Sequence, residues 1–222
     1  MIEAVIFDMD GLMFDTERLS KKTWQKCGEK YGYIFDDEIF DKVIGVSSKD
    51  AEKIFREAYG ENLPYREIRE EKNKMMINEI KENGIRIKKG LHECIKYLKD
   101  NHILIAVASS SDESTINFYL KLAKLSNVFD YIISGESLLN SKPDPEIFIK
   151  CCKKLNVNKE NVLILEDSAN GIKAANNANI KVVYVPDLAK IPEDVEKMVY
   201  RKVKDLLCVP KLIEEINMKN SH

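Results

Sequence analysis

"VIFDMDGLMFDTE", residues 5–17, is the most informative stretch of this chain about its fold. The apolar run Val5 to Phe7 is typical of the end of a buried strand, and Asp8, Asp10 and Asp15 follow it closely. Carboxylates crowded at one strand end repel one another and lose solvation, so something must compensate for their charge. The stretch therefore predicts a strand that delivers carboxylates to a site, and a metal ion is the simplest compensating group.

The same pattern of an apolar run followed by polar residues recurs along the chain. Segments with apolar residues at three- and four-residue spacing separate these runs, as amphipathic helices require. The alternation predicts an α/β protein whose core is a doubly wound, Rossmann-like parallel sheet. The four further predicted strands are "HILIAVASSS" (102–111), "FDYIISG" (129–135), "NVLILEDS" (161–168) and "IKVVYVP" (180–186).

One long stretch interrupts the alternation. Between Thr16 and Ile87 no strand-like run occurs, and amphipathic segments are separated by glycines and a proline. We predict that residues 16–87 form an all-helical cap inserted into a catalytic core made of residues 1–15 and 88–222. The linkers are expected near Asp15 and between Ile85 and Gly90.

Composition excludes several classes of function. The 222 residues are 44% hydrophobic and 32% charged with a net charge of −2, so no basic field attracts nucleic acid. No apolar stretch approaches the roughly 18 residues that span a bilayer, and no signal peptide is visible. The five cysteines lack CxxC spacing, as expected for reduced thiols. We expect a cytoplasmic monomer with no nucleic-acid or membrane partner.

The predicted strand ends carry one chemistry. Ligands of open α/β sheets bind at the carboxyl ends of the strands. There a carboxylate can attack phosphorus, a second carboxylate can transfer the proton, and a lysine and Mg²⁺ can neutralise charge. The residues predicted to converge are Asp8 and Asp10 after the first strand, Ser109, Ser110 and Ser111 after the second, Lys142 after the third, and Glu166 and Asp167 after the fourth.

Four motifs together resemble the haloacid dehalogenase-like superfamily, and within it the phosphatases and the β-phosphoglucomutase-like branch. They are "FDMDGLMFDTE", "VASSS", "SKPDPEIF" and "ILEDSANGIKAA", in that order. The likeness covers nearly the whole chain and is weakest between Pro186 and His222. It implies a phosphatase that hydrolyses a small phosphate monoester, a sugar phosphate or a nucleotide-like compound, through an aspartyl-phosphate.

The resemblance also implies a role for each residue at the strand ends. Asp8 would be the nucleophile and a Mg²⁺ ligand, and Asp10 would be the general acid and base with its carbonyl on the metal. Asp167 would be the main distal metal ligand, with Glu166 bound directly or through water. Ser109 would hydrogen-bond the phosphoryl oxygens and Lys142 would neutralise charge. Ser110, a further substrate-binding candidate, and Ser111 are expected mainly to cap the helix that begins near Asp112.

The cap carries the remaining substrate-binding candidates and the choice between two reactions. The resemblance to β-phosphoglucomutases implies a histidine where this chain has Ser20, and an arginine where it has Ser48. The neighbouring Lys49 could supply the missing positive charge. A phosphomutase must hold a second phosphate, a task that suits arginine. We therefore favour phosphatase over phosphomutase.

Three other classes stay open. A phospho-receiver domain uses a similar acidic cluster, but it is about half this length and lacks the insertion. A dehalogenase on the same fold would need neither Asp10 nor a metal. A non-catalytic binding protein would not need every catalytic position intact. Sustained turnover of a phosphate ester with Mg²⁺ separates the enzyme from the switch and the binder.

Overall fold

The computed structural model describes residues 1–46 and 48–219. Within these residues the strands form one sheet in the order β3-β2-β1-β4-β5-β6, and every neighbouring pair is parallel. The predicted doubly wound α/β core is therefore confirmed. The strands are β1 (Ala4–Phe7), β2 (Leu104–Ser109), β3 (Tyr131–Ser134), β4 (Val162–Glu166), β5 (Lys181–Tyr184) and β6 (Arg201–Lys202).

The helices fall into two groups. Those of the core cover both faces of the sheet, and those of the cap follow β1 directly. The cap helices are α1 (Thr16–Lys30), α2 (Asp37–Val43), α3 (Ser48–Tyr59) and α4 (Tyr65–Asn83). The core helices are α5 (Leu91–Asp100), α6 (Glu113–Leu122), α7 (Glu146–Leu155), α8 (Ala169–Asn177), α9 (Glu193–Glu196) and α10 (Val209–Lys219).

Burial on both faces explains why β1 is apolar throughout. Val5 and Phe7 pack into the hydrophobic cluster on one face, and Ala4 and Ile6 pack into the cluster on the other. A central parallel strand has no solvated face, so it lacks alternation of apolar and polar residues. This placement puts Asp8, the next residue, at the middle of the carboxyl edge of the sheet.

The edge strand β6 was not predicted. It consists of Arg201 and Lys202, both exposed, and it extends the sheet by pairing with Val183 and Tyr184 of β5. Two charged residues give no apolar run to recognise. The pairing depends on the position of β5 rather than on the local sequence.

The cap has a hydrophobic core of its own. Trp24 stacks on Phe55 with ring centroids 4.7 Å apart and on Tyr65 at 5.3 Å, as expected for core aromatics. The two linkers run side by side, since the Asp15 amide donates to the Arg86 carbonyl at 2.9 Å. The division into residues 1–15, 16–87 and 88–222 stays a prediction. Among the described residues, no helix combines the length and apolar character needed to cross a membrane.

Candidate active site

Asp8 and Lys142 form a buried ion pair at the centre of the sheet edge. The Lys142 ammonium donates to Asp8 Oδ1 at 2.5 Å, to Glu166 Oε1 at 2.7 Å and to the Ala108 carbonyl at 3.2 Å. The parallel register of β2, β1 and β4 brings the three acceptors together, and Lys142 reaches them from the segment between β3 and α7. Lys142 is therefore held as a fixed positive charge between two carboxylates.

Burial and crowding set the electrostatics of this pair. Burial raises the pKa of Asp8 above its ordinary value, and the opposing charge of Lys142 limits this rise. Burial by itself would lower the pKa of Lys142, but the carboxylates of Asp8 and Glu166 outweigh it and raise that pKa. The ammonium is thus charged across the physiological pH range.

Three buried carboxylates lie close enough to share a cation. Asp8, Glu166 and Asp167 each offer one oxygen, and these oxygens lie within 4.8 Å of one another. Burial, followed by the charges of Glu166 and Asp8, raises the pKa of Asp167 well above its usual value. Asp167 Oδ1 is buried without a hydrogen-bond partner among the described residues. An unpartnered carboxylate oxygen among oxygen donors fits a hard cation such as Mg²⁺.

Glu166 differs from Asp8 and Asp167 because both of its carboxylate oxygens accept hydrogen bonds from the protein. Oε1 accepts from Lys142, and Oε2 accepts from the Asp167 amide and from the amide and hydroxyl of Ser168. These bonds orient Lys142 and the loop after β4. The contacts favour the second of its two predicted roles, in which Glu166 acts on the metal through water.

Asp10 is held by residues of both the core and the cap. Its Oδ1 accepts from the Thr16 hydroxyl at 2.6 Å, and Oδ2 accepts from the Ser111 hydroxyl at 2.8 Å and the Ser109 hydroxyl at 3.5 Å. Thr16 is the first residue of α1. The orientation of the Asp10 carboxylate therefore depends on the position of the first cap helix, α1, relative to the core.

The capping role expected for Ser110 and Ser111 is wrong. Asp112 caps α6, since its Oδ1 accepts from the Thr115 amide at 2.8 Å. The backbone amides in the first turn of a helix have no partner within the helix. The side chain of the residue directly before that turn can accept from them, and aspartate is one of the preferred residues there. Ser111 is thereby free to bind Asp10.

A cavity of about 370 Å³ lies between the strand ends and the cap. Asp8, Asp10 and Asp167 line it from the core, and the cap candidates Ser20 and Ser48 line it from the other side. Ser110 and Ser48 also border a second cavity of about 1080 Å³, whose walls include Lys49. Lys49 is not among the residues around the first cavity.

Four charged cap residues around the first cavity were not singled out from the sequence. They are Glu17 and Lys21 of α1 and Arg69 and Lys72 of α4. Burial and the nearby Asp10 raise the pKa of Glu17 to about 7, and burial lowers the pKa of Lys72 to about 8. The helical spacing of Arg69, Lys72 and Met76 could have indicated one face of α4, but not that this face meets the core.

Asp187 was also missed. It follows β5, and its Oδ1 accepts from Arg18 of α1 at 2.7 Å and from Lys88 of the returning linker at 2.6 Å. The Asp187 side chain is only 1% exposed. The sequence did offer a signal, because Asp187 is an acidic residue directly after the fifth predicted strand. In the structure, Asp187 connects α1 and the returning linker to the sheet edge.

Two glycines allow the carboxylates to pack so closely. A Cβ at Gly171 would lie 1.7 Å from Glu166 Oε1, and one at Gly11 would lie 2.1 Å from Asp167 Oδ2. Gly11 also has a φ of +82°, a conformation that glycine adopts without strain. Larger residues at either position would displace the carboxylates.

Known proteins resemble this chain in sequence and in structure. Residues 5–185 match the profile of a family described as haloacid dehalogenase-like hydrolase. A phosphorylated carbohydrates phosphatase of Thermotoga maritima is 34% identical over 188 residues, which cover 82% of this chain and 84% of that protein. The crystal structure of a β-phosphoglucomutase from Clostridium difficile is 30% identical, covers 100% of both chains and has a TM-score of 0.82. CbbY from Rhodobacter sphaeroides, solved in complex with phosphate, shares the fold at 24% identity, with a TM-score of 0.81 over 93% of this chain and 96% of that one.

Proposed function

This chain belongs to the haloacid dehalogenase-like hydrolase family, and on that premise we propose that it is a Mg²⁺-dependent phosphatase of small phosphorylated carbohydrates that works through an aspartyl-phosphate on Asp8. The matched profile and the Thermotoga maritima phosphatase confirm the predicted family and its enzyme class, the phosphoric monoester hydrolases. The metal, the intermediate and the substrate are the proposed part.

One observation carries the proposal. Asp8 lies on the floor of a cavity, ion-paired with Lys142 and within reach of Asp167, whose free oxygen has no partner among the described residues. A carboxylate in this position can attack a phosphoryl group that enters the cavity. The fixed ammonium beside it can stabilise the charge of that group.

The reaction then follows from the positions of Asp8 and Asp10. An Asp8 oxygen forms a bond to phosphorus while the bond from phosphorus to the ester oxygen breaks, and the leaving oxygen takes the proton of Asp10. A water molecule next gives a proton back to Asp10 and attacks the aspartyl-phosphate. Inorganic phosphate leaves, and the Asp8 carboxylate and protonated Asp10 are restored.

The neighbouring groups hold the phosphoryl group and its charge. Lys142 would donate to the phosphoryl oxygens from its place beside Asp8, and Ser109 would donate its hydroxyl. Asp8, Asp167 and the Asp10 carbonyl would hold Mg²⁺, with Glu166 acting through water. When bound, the cation supplies shielding of the repulsion between carboxylate and phosphate.

The test is a screen of about a hundred phosphate monoesters with Mg²⁺, with released phosphate as the readout. We expect turnover of sugar phosphates by the wild type and none by Asp8→Asn, because an amide is neither the nucleophile nor an anionic ligand. Asp100→Asn, at an exposed carboxylate paired with Lys96, is the matched control and should behave as the wild type. Near-normal turnover by Asp8→Asn would refute the proposal.

A phosphomutase is the second candidate, because the β-phosphoglucomutase of Clostridium difficile aligns over the full length of both chains. Ser20 argues against it, since it replaces the histidine that the resemblance to β-phosphoglucomutases implies. We expect β-glucose 1-phosphate to be converted to glucose 6-phosphate slowly or not at all, even with a bisphosphate primer. Fast primed isomerisation with little phosphate release would reverse the ranking.

A further inference from the structure

Arg69 of α4 contacts Ser48, the cap residue at which the resemblance implies an arginine. Its Nη2 donates to Ser48 Oγ at 2.6 Å, although the two residues are 21 positions apart in the chain. Arg69 borders both the catalytic cavity and the neighbouring one. The guanidinium from α4 thus lies beside the first residue of α3, the position at which the resemblance implies an arginine.

Arg69 differs from three other arginines of the chain in the partners of its positive charge. Among residues 1–46 and 48–219 the structure pairs Arg69 with no carboxylate, whereas Arg18, Arg56 and Arg66 each pair with at least one. The Ser48 hydroxyl is neutral and uses one of five N–H donors. The remaining donors are available to a ligand in the cavity.

A second cation on the same helix face strengthens this imbalance. Lys72 lies three residues further along α4 and lines the same cavity, so the two positive charges repel each other. Lys72 has Glu17 and Asp10 as its counter-charges. Arg69 forms no salt bridge with a carboxylate among the described residues, and an anion bound there would relieve the repulsion.

We propose that Arg69 binds a second anionic group of the substrate, apart from the phosphoryl group that Asp8 attacks. This inference rests on the proposed phosphatase function and narrows its substrates to phosphate esters that carry a further carboxylate or phosphate. A guanidinium fork matches either group with two parallel hydrogen bonds. Ser48 holds the fork in place through its hydroxyl.

The test compares ester pairs that differ only in the group remote from the phosphate. Glycerol 3-phosphate is paired with 3-phosphoglycerate, and glucose 1-phosphate with glucuronic acid 1-phosphate and with glucose 1,6-bisphosphate. The readout is kcat/KM for phosphate release with Mg²⁺. In at least one pair the wild type should favour the anionic member by about ten- to 100-fold, the scale of hydrogen bonds to charged groups.

Arg69→Gln should bring that ratio close to one, mainly through KM, because a remote contact holds the substrate equally in the ground and transition states. Arg69→Lys should restore part of the ratio as a point charge. Arg66→Gln is the matched control, since its side chain is 80% exposed on the same helix and lies outside both cavities. It should keep the full ratio.

The two ideas fail in different ways. Phosphate release without any preference for an anionic member, or a preference that survives in Arg69→Gln, overturns the role of Arg69 and leaves the phosphatase proposal standing. No phosphate release from any ester overturns the phosphatase proposal, and the role of Arg69 with it. The carboxylate and phosphate pairs identify which anion the site takes.

Discussion

At the scale of single residues, the contacts of Asp10 bear most directly on the proposed reaction. Its carboxylate is positioned by hydroxyls of Thr16, Ser111 and Ser109, one on the cap side and two on the core side. Asp8 instead is fixed by an ammonium. The two aspartates of one short motif therefore have different environments, as a nucleophile and a proton shuttle require.

Asp10→Asn should lower the steady-state rate by about 10²–10⁴-fold, because it removes general acid–base catalysis while Asp8 stays intact. Breakdown of the aspartyl-phosphate should suffer more than its formation when the leaving group is a good one, such as p-nitrophenolate. Rapid-quench measurement should then show a burst of product followed by slow turnover. A uniform loss without a burst would contradict the assigned role.

The contacts of Asp187 matter at the scale of elements, where α1 and the returning linker meet the sheet edge. One carboxylate oxygen accepts from Arg18 and Lys88, so both connections between core and cap depend on one residue. The adjacent backbone bond from Asp15 to Arg86 couples the linkers to each other. From these contacts we propose that the linkers act as the hinge of the cap.

Asp187→Asn should loosen this hinge. An amide leaves Lys88, which is 21% exposed, without its counter-charge, and we expect a loss of about 1–3 kcal/mol in the free energy of unfolding. Hydrogen exchange at the Asp15 amide should become faster. Asp100→Asn, which breaks an exposed helical pair, is the control and should leave that exchange rate unchanged. Equal exchange rates in the two variants would exclude the hinge role.

At the scale of the whole molecule, the burial of charged groups between cap and core makes the free energy of unfolding depend on pH. Glu17 has a pKa raised to about 7 by burial and by Asp10, against an ordinary value of 4.5. The folded state therefore holds a proton that the unfolded state releases between these two values. Its contribution to stability is present below about pH 4.5 and is lost as the pH rises through about 7.

The free energy of unfolding in EDTA should therefore fall between pH 5 and pH 8. Glu17→Gln should reduce this fall by about 1–3 kcal/mol, because an amide does not titrate. Urea denaturation at the two pH values measures the difference. Glu57→Gln, at an exposed carboxylate, should keep the wild-type dependence. An unchanged fall in Glu17→Gln would show that the Glu17 carboxyl is already solvated.

Mg²⁺ should stabilise the whole fold as well as support turnover. At 100 times its dissociation constant it should add about 2.7 kcal/mol, which corresponds to a rise of about 5–10 °C in the midpoint of thermal unfolding for a chain of this size. Asp167→Asn should lose most of that rise. Exhaustive EDTA treatment should abolish phosphate release, and full activity after it would refute the metal requirement.

Local sequence patterns predict five of the six strands that the structure describes and the polar residues at the carboxyl edge of the sheet. Apolar runs mark strands that are buried on both faces, and the polar residue after each run, such as Asp8 or Asp167, must lie at the carboxyl edge. Interruption of the alternation after Thr16 likewise predicts the helical cap. These features follow from local periodicity, which each segment carries in its own residues.

Only the tertiary structure decided which distant residues meet. The pairing of Arg69 with Ser48 and of Arg18 with Asp187 spans 21 and 169 positions. Strand β6 exists only because β5 lies beside it. Such contacts depend on which helix face meets the core and on how the linkers cross. The packing of the whole chain sets the helix face and the path of the linkers. The position of a charged residue in the sequence does not show which distant residue it will pair with.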